Sequence, residues 1–389
     1  MKKTKLIDGR TTKDAAGEID LGLSDSAENK VDKKQRDDSM ERKRKLSFIA
    51  LHLGAGEHSL KRKDAYKSLC DKACSKGLQL LRCGGTASEA VTEVTMILED
   101  SGLVNAGSGS NLTIDKTIEC DAGFMDGDGY FGGVGALPGV RNPVLVAKSI
   151  ADVHKKEKLF SCGRVPPNFM VGHHAKSWAA SQGISVCGDD NDLISKKTAK
   201  TYEKYMTQLK SVENEVNDTV GAIAMDNHGR VASTVSSGGN WLKFPGRIGH
   251  SPLFGCGCWS SNQSSVSSNA IAVSTSGSGE MLSRVHLPQE CAYMANSEMN
   301  TGLVGSVSSC IHKHFIQNTT LDIHSEPRLI GLIALMWDGK HGEFVWGHSS
   351  SNFVVAYTSS KMRSVKMNFS ELDRESTVGK SLKVEGILF

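Results

Sequence analysis

Short apolar runs alternate with helically spaced segments from residue 48 onward. Residues 48–53 are apolar and lead into a glycine-rich stretch at 54–56, which predicts a buried strand entering a tight loop. Thr86 and Glu89 form a capping-box pattern, because each can satisfy a free backbone donor at a helix start. Apolar residues at helical spacing predict helices over residues 64–82, 86–100 and 143–156.

Two hairpins are predicted further along the chain. Residues 219–226 and 230–236 flank a turn at 227–229, and 329–337 and 343–346 flank a turn at 338–340. The first of these strands is apolar without alternation, so we expect both of its faces to be covered. Glycine-punctuated short strands are expected over 105–135. Strand pairs with intervening helices predict an α/β fold of stacked layers.

Two segments differ in composition from the rest. Residues 1–47 contain 23 charged and no aromatic residues, which predicts a disordered tail. The tail ends in a basic run at 42–45, either a nuclear-import signal or a solvated tail end. Residues 187–218 are polar and predict a flexible, exposed linker with a helical piece to about residue 209. The rest, residues 48–389, is predicted to be one domain.

Bulk composition excludes several classes of function. A net charge of +3 over 389 residues gives no reason to expect a nucleic-acid partner. No apolar run is long enough for a membrane span, and residues 1–47 lack the apolar segment of a signal peptide, so we expect an intracellular protein of nucleus or cytoplasm. The ten cysteines form no C-x-x-C pair, and Cys256-Gly257-Cys258 is a weak zinc pattern. We therefore expect free thiols, no metal and no cofactor.

Thr219 stands where the polar segment meets the first hairpin strand. A threonine hydroxyl is a poor nucleophile unless a base lies beside it. The α-amine of an N-terminal threonine, with a pKa of about 7.7–8, can take that proton at neutral pH. Cleavage before Thr219 would therefore supply a nucleophile together with its base. The alternative is a threonine that merely opens a strand, which is common.

Glycine-rich segments lie in a fixed order on both sides of Thr219. Upstream are HLGAG at 52–56, NAGSGS at 105–110 and ECDAGFMDG at 119–127; downstream are VSSGG at 235–239, GRIGHSP at 246–252 and STSGSGE at 274–280. In this order and spacing they resemble the plant-type asparaginase and threonine aspartase family of N-terminal-nucleophile hydrolases. The resemblance covers roughly residues 48–389.

This resemblance implies a four-layer αββα sandwich, made as an inactive precursor. Self-cleavage between Asp218 and Thr219 would give an α chain, about residues 1–218, and a β chain, residues 219–389. By motif, Thr219 is the nucleophile and Ser237 the second hydroxyl that orients it. Asn105 matches a supporting asparagine.

The substrate pocket is implied by the same resemblance. Ser276 and Gly277 match the segment that lines the pocket and the oxyanion hole, and Gly279 belongs to the same segment. Arg247 matches the arginine that binds a substrate carboxylate, and its planar fork suits bidentate binding. His250 lies among the substrate-binding positions.

Two positions bear on the branch of the family. Asp218 resembles threonine aspartases and glycosylasparaginases, whereas asparaginases usually carry glycine before the nucleophile. His250 replaces the aspartate that holds the free α-amine of an asparagine-like substrate. An imidazole cannot pair with an ammonium group, so we expect an aspartyl residue inside a peptide to bind instead. FGCGCW at 254–259 and GRVPP at 163–167 also resemble threonine aspartases.

Three functions remain open on the sequence. The favoured one is a self-processed threonine endopeptidase that cuts after Asp in a protein substrate, as an αβ heterodimer that dimerises. The second is a plant-type L-asparaginase or isoaspartyl peptidase acting on small substrates. The third is a non-catalytic interaction protein that keeps the fold. We expect neither nucleic acid nor membrane as a partner.

Overall fold

The structure, a computed structural model, describes residues 46–157, 159–207, 219–265, 267–297, 302–323 and 326–389. All but the last two residues of the predicted tail, the basic run at 42–45 and the end of the linker with Asp218 lie outside this part. Residues 45–389 form one compact unit. None of the described helices has the length and apolar character needed to cross a membrane.

The strands and helices are numbered in chain order. The strands are β1 (Phe48–Gly56), β2 (Cys120–Asp126), β3 (Phe131–Leu137), β4 (Phe169–Val171), β5 (Val220–Met225), β6 (Val231–Ser237), β7 (Cys258–Ser261), β8 (Ala270–Gly277), β9 (Ile330–Trp337), β10 (Gly342–His348), β11 (Asn352–Ser359), β12 (Lys366–Glu371) and β13 (Lys383–Leu388). The helices are α1 (Lys63–Arg82), α2 (Ala87–Asp100), α3 (Pro143–Lys156), α4 (Gly172–Ser181), α5 (Lys196–Thr207), α6 (Gly279–Leu282), α7 (Leu287–Ser297) and α8 (Gly302–Ile311).

The strands form two sheets. One has eight strands in the order β12-β11-β1-β5-β6-β2-β3-β4, and the other has five in the order β13-β10-β9-β8-β7. Apolar side chains from both sheets, such as Phe48, Ile223 and Leu335, share one buried cluster. A second cluster joins α1, α2 and α3 to the larger sheet, and a third joins α7 and α8 to the smaller one. The predicted mixed α/β class is confirmed.

Local sequence signals agree with several elements. Helices α1 to α3 match the predicted spans within a residue or two, and both predicted hairpins form, as β5–β6 and β9–β10. The capping box at α2 is present: the Glu89 N–H donates to Thr86 Oγ1 over 3.2 Å, and the Thr86 N–H donates to Glu89 Oε2 over 2.7 Å. Every residue of β5 is buried, as its lack of alternation predicted.

Other expectations were wrong in detail. β1 continues through residues 54–56 instead of ending in a loop, with a register shift that Gly54 accommodates at φ 116°. Residues 105–119 hold a 3-10 turn and one isolated bridge in place of strands. Of the expected linker, residues 187–207 are described. The predicted helical piece is present as α5, and Tyr202 on this helix is buried and donates to the Ile114 carbonyl over 2.8 Å.

Candidate active site

The β5–β6 hairpin brings Thr219 and Ser237 together. The hairpin pairs Val220 with Ser236, so Thr219, which directly precedes β5, lies across from Ser237 at the open end. The Thr219 hydroxyl donates to Ser237 Oγ over 3.0 Å. Both residues are buried. A tight hairpin with this register therefore places two hydroxyls side by side, 18 residues apart in sequence.

A loop supported by Asn105 closes one side of this pair. The Gly239 N–H donates to Ser237 Oγ over 3.0 Å, and Asn105 Nδ2 donates to the Gly239 carbonyl over 2.8 Å. The Asn105 amide oxygen in turn accepts from the Asn111 N–H over 2.8 Å. A Cβ at Gly238 would lie 2.4 Å from that oxygen, so a side chain does not fit there. Asn105 thus holds the backbone behind Ser237.

Polar contacts between the two sheets lie beneath the nucleophile. His52 Nε2 lies 3.0 Å from Ser274 Oγ, which donates to the Thr234 carbonyl over 2.8 Å. A Cβ at Gly221 would come within 2.1 Å of Ser274 Oγ, so the glycine allows this close approach. Burial, assisted by the nearby His250 ring, lowers the pKa of His52 to about 3. His52 is therefore neutral at neutral pH.

Thr219 opens onto a narrow pocket, in which the centre of a water molecule has only about 10 Å³ of space. The pocket contains most of the residues expected from the sequence. Its lining comprises Asn105, Thr219, Ser237, Gly239, Asn240, Arg247, Gly249, His250, Ser251, Gly277 and Gly279. Ser276 is placed elsewhere: it is fully buried, and its hydroxyl accepts from the Ala55 N–H over 2.9 Å, which ties β8 to β1.

Arg247 is paired with an acidic residue that the sequence analysis did not single out. Its Nε donates to Glu280 Oε1 over 2.7 Å, and its Nη2 donates to Glu280 Oε2 over 2.6 Å. The Arg247 side chain is 16% exposed, whereas that of Glu280 is 43% exposed. The bidentate geometry that was expected for a substrate carboxylate is thus already made by the protein on one edge of the guanidinium.

The loop that carries Arg247 and His250 is held by the carboxylate of Asp121, near the start of β2. Asp121 is fully buried, and its Oδ2 accepts from the Gly249 N–H over 2.9 Å, while its Oδ1 accepts from the Ala136 N–H. Sequence reasoning missed Asp121, although a charged residue inside an otherwise buried strand was a usable signal, because buried charges require partners. No comparable signal marked Glu280, which follows a glycine-rich segment.

His250 lies buried at the pocket wall. Its Nε2 lies 3.3 Å from the Thr275 carbonyl, so that nitrogen carries the proton and donates. Burial lowers the pKa of His250 to about 4, opposed by the contact with Thr275 and assisted by the positive charge of Arg247. The ring is neutral at neutral pH and offers no negative charge to an ammonium group.

Cys256 and Cys258 are buried free thiols. Burial raises the pKa of both thiols to about 12, so they are protonated at neutral pH. Within the described ranges, no three His, Cys, Asp or Glu side chains are grouped as metal ligands would be.

A buried carboxyl supports the strand end next to Ser237. Glu99 on α2 has no exposed surface, and its Oε1 accepts from the Ser236 hydroxyl over 2.7 Å and from the Val144 N–H over 3.1 Å. Burial raises the pKa of Glu99 to about 8, and these hydrogen bonds oppose the rise. The folded protein therefore retains a proton here at pH values where the unfolded chain has lost it.

We expect Glu99→Gln to reduce the pH dependence of stability. Because the folded-state pKa is raised, the native chain loses stability as pH rises from about 4.5 to about 8, by up to roughly 1.4 kcal/mol per pH unit. A neutral amide cannot lose a proton, so the stability of the variant relative to that of the native chain should increase as pH rises. Urea unfolding of both chains at pH 5 and pH 8.5 measures this, and equal changes with pH would contradict it.

Known proteins share sequence similarity with most of this chain. Residues 45–367 match the family model described as Asparaginase. The chain belongs to the asparaginase family. An isoaspartyl peptidase/L-asparaginase of Mus musculus is 34% identical over 239 residues, which span 60% of this chain and 68% of the mouse protein. An isoaspartyl peptidase of Escherichia coli is 33% identical over 256 residues, covering 61% and 73% of the two chains.

Membership places the chain in the superfamily of N-terminal nucleophile hydrolases. The resemblance stated from the sequence is thereby confirmed at the level of the family. The relatives are named for isoaspartyl peptidase and L-asparaginase activity and not for threonine aspartase activity. Assignment to the threonine aspartase branch therefore rests on this chain's own residues.

Proposed function

We propose that this member of the asparaginase family is a self-processed threonine hydrolase that cuts the peptide bond after an aspartyl residue. The observation that carries the proposal is one pocket holding the Thr219–Ser237 pair, a guanidinium and, at the expected amine position, a neutral histidine. Family membership supports hydrolysis of an amide bond. The two stacked sheets with helices outside them support the αββα sandwich.

Activation begins with cleavage between Asp218 and Thr219. The Thr219 hydroxyl attacks the carbonyl carbon of Asp218, and the C–N bond breaks as the proton passes from the hydroxyl to the departing nitrogen, which leaves an ester on Oγ1 and frees the α-amine of Thr219. Water then hydrolyses the ester, which releases the Asp218 carboxylate and restores the Thr219 hydroxyl. This step divides the chain into an α part and a β part that stay associated, because β5 and β6 of the β part are hydrogen-bonded to β1 and β2 of the α part, respectively. The freed amine then serves as the base that the hydroxyl lacked.

Peptide hydrolysis uses the same oxygen. The amine takes the Thr219 proton as Oγ1 attacks the carbonyl carbon, and Ser237 Oγ, which already accepts from Thr219, keeps the hydroxyl aligned. The departing nitrogen takes the proton from the ammonium, which leaves an ester on Thr219. Water, deprotonated by the amine, then releases the acid. Gly277 and Gly279 present backbone to the reacting group, since neither bears a side chain.

Recognition of aspartate is assigned to Arg247 and His250. Arg247 is mostly buried, so a carboxylate that reaches it loses little to competition with water. His250 is buried and neutral, so the pocket holds no carboxylate there for an α-ammonium group. A residue whose nitrogen is already in a peptide bond has no such charge to satisfy.

A second candidate is an isoaspartyl peptidase or L-asparaginase that acts on small substrates. The names of the relatives support it more directly than they support an endopeptidase. It requires another acidic group to hold the free amine. The same experiment on His250 separates the two candidates.

We expect His250→Asp to shift preference toward free L-asparagine. A carboxylate at this buried position can pair with an ammonium group, so the ratio of kcat/KM for L-asparagine to kcat/KM for an Asp-containing peptide should rise about tenfold or more. Steady-state kinetics on both substrates measures the ratio. His250→Asn is the matched control, because it has the same shape without the charge.

Two results would count against this assignment. Equal shifts in His250→Asp and His250→Asn would show that charge is not the cause. A native chain that prefers free L-asparagine to the peptide would establish the second candidate. If the native chain neither released a fragment beginning at Thr219 nor hydrolysed either substrate, both candidates would be excluded. The remaining function would be that of a non-catalytic interaction protein.

A further inference from the structure

Glu280 grips only one edge of the Arg247 guanidinium. Its two carboxylate oxygens accept from Nε and Nη2, at 2.7 and 2.6 Å. A guanidinium carries five N–H groups, so three remain, two on Nη1 and one on Nη2. One N–H on Nη1 and one on Nη2 form the second edge of the same planar group. A carboxylate can therefore bind there while Glu280 stays in place.

The free edge faces the pocket. A Cβ at Gly239 would lie 3.3 Å from Arg247 Nη1, and one at Gly249 would lie 3.4 Å from it, so Nη1 lies between these two glycines. Both glycines line the pocket that contains Thr219. A Cβ at Gly279 would lie 2.9 Å from Nη2, which confines the guanidinium from a third side. The guanidinium is thus packed against three glycines at the pocket wall.

Glu280 is arranged to hold Arg247 from the outer side. It is 43% exposed while Arg247 is 16% exposed, so the acidic partner is on the solvent side and the guanidinium is on the pocket side. Glu280 is the second residue of the short helix α6, which starts two residues after the end of β8. A rigid sheet strand therefore sets the position of the carboxylate, and the carboxylate sets the plane of the guanidinium.

We infer that Glu280 is a positioning residue that fixes Arg247 by its Nε edge, so that the Nη1–Nη2 edge binds the substrate carboxylate. This rests on the proposed role of Arg247 in the proposed function. Without Glu280, the guanidinium can rotate about its side-chain bonds and offers single hydrogen bonds in place of a fork. The opposite arrangement, in which Glu280 blocks the site and the substrate displaces it, predicts the opposite sign of the effect.

Steady-state kinetics of Glu280 variants show whether Glu280 assists or hinders substrate binding. We expect Glu280→Gln to raise KM for an Asp-containing peptide about three- to tenfold and Glu280→Ala to raise it tenfold or more, with kcat within about twofold of native, because ground-state alignment is lost and the nucleophile is untouched. Glu375→Gln, a change at an exposed glutamate outside the pocket lining, is the matched control and should leave both constants unchanged. A fall in KM in Glu280→Ala would overturn the inference.

A double-mutant cycle separates positioning from a general structural effect. If Glu280 acts only through Arg247, then Glu280→Ala should change KM little in a chain that already carries Arg247→Ala. Additive effects would overturn the inference. Release of the fragment beginning at Thr219 reports folding of every variant independently of substrate binding.

The same variants should also be tested on L-asparagine, which carries a carboxylate of its own. Coupling between Glu280 and Arg247 that appears with L-asparagine while the native chain fails to cut the peptide would refute the endopeptidase and retain the inference. Peptide cleavage that is unchanged in the Glu280 variants would refute the inference and retain the endopeptidase.

Discussion

Replacing Thr219 with alanine is expected to abolish both self-cleavage and hydrolysis of any substrate. One hydroxyl serves as nucleophile in the two steps, and the residue beside it, Ser237, accepts its hydrogen bond and lacks an α-amine of its own. Removal of a nucleophile from other hydrolases lowers kcat by roughly 10⁴-fold or more, and an effect of that size is expected here.

Mass spectrometry of the purified chain over time measures the first activity as the appearance of a fragment that begins at residue 219. Thr219→Ser is the matched control, because it keeps the hydroxyl and should retain partial processing. The Thr219 hydroxyl makes one buried hydrogen bond, so Thr219→Ala should cost only about 1 kcal/mol of stability and leave the fold intact. An unprocessed Thr219→Ala chain that hydrolyses substrate at the native rate would exclude Thr219 as the nucleophile.

Elements with strong local signals could be predicted from the sequence. Helix α2 has its capping box, and the β5–β6 hairpin has its turn at residues 227–229 together with an apolar strand. Helix α5 was placed in a linker because its sequence is polar. It is held instead by distant contacts, among them the bond of Tyr202 to Ile114, which no local pattern reveals.

The active site divides in the same way. Thr219 and Ser237 were predicted by motif, and hairpin register then explains their contact. Glu280 was missed because its partner, Arg247, is 33 residues away on another loop. Ser276 was predicted to line the pocket. Successive side chains of β8 point to opposite faces of the sheet, and the Ser276 hydroxyl lies on the face where it accepts from the Ala55 N–H.

Replacing Arg247 with alanine is expected to lower kcat/KM for an Asp-containing peptide by about 100-fold or more. The guanidinium is mostly buried in a pocket with almost no room for water, so a carboxylate that binds there would lose its partner without regaining hydration. Leaving one member of such a desolvated pair unpaired costs about 3–5 kcal/mol. Arg247→Lys should restore only part of the activity, because an ammonium group lacks the planar fork.

Arg247→Ala should weaken substrate binding and leave the stability of the folded protein nearly unchanged. The residue's own partner, Glu280, is 43% exposed, so it stays hydrated when Arg247 is removed, and exposed ion pairs contribute little to stability. Arg284→Ala, a change at an exposed arginine one turn beyond Glu280, is the matched control and should leave kinetics unchanged. Thermal unfolding of both variants should stay close to native. If Arg247→Ala reduced kcat/KM less than threefold while cleavage before Thr219 remained complete, the substrate carboxylate would have to bind elsewhere. The Arg247–Glu280 pair would then be only a structural part of the pocket wall.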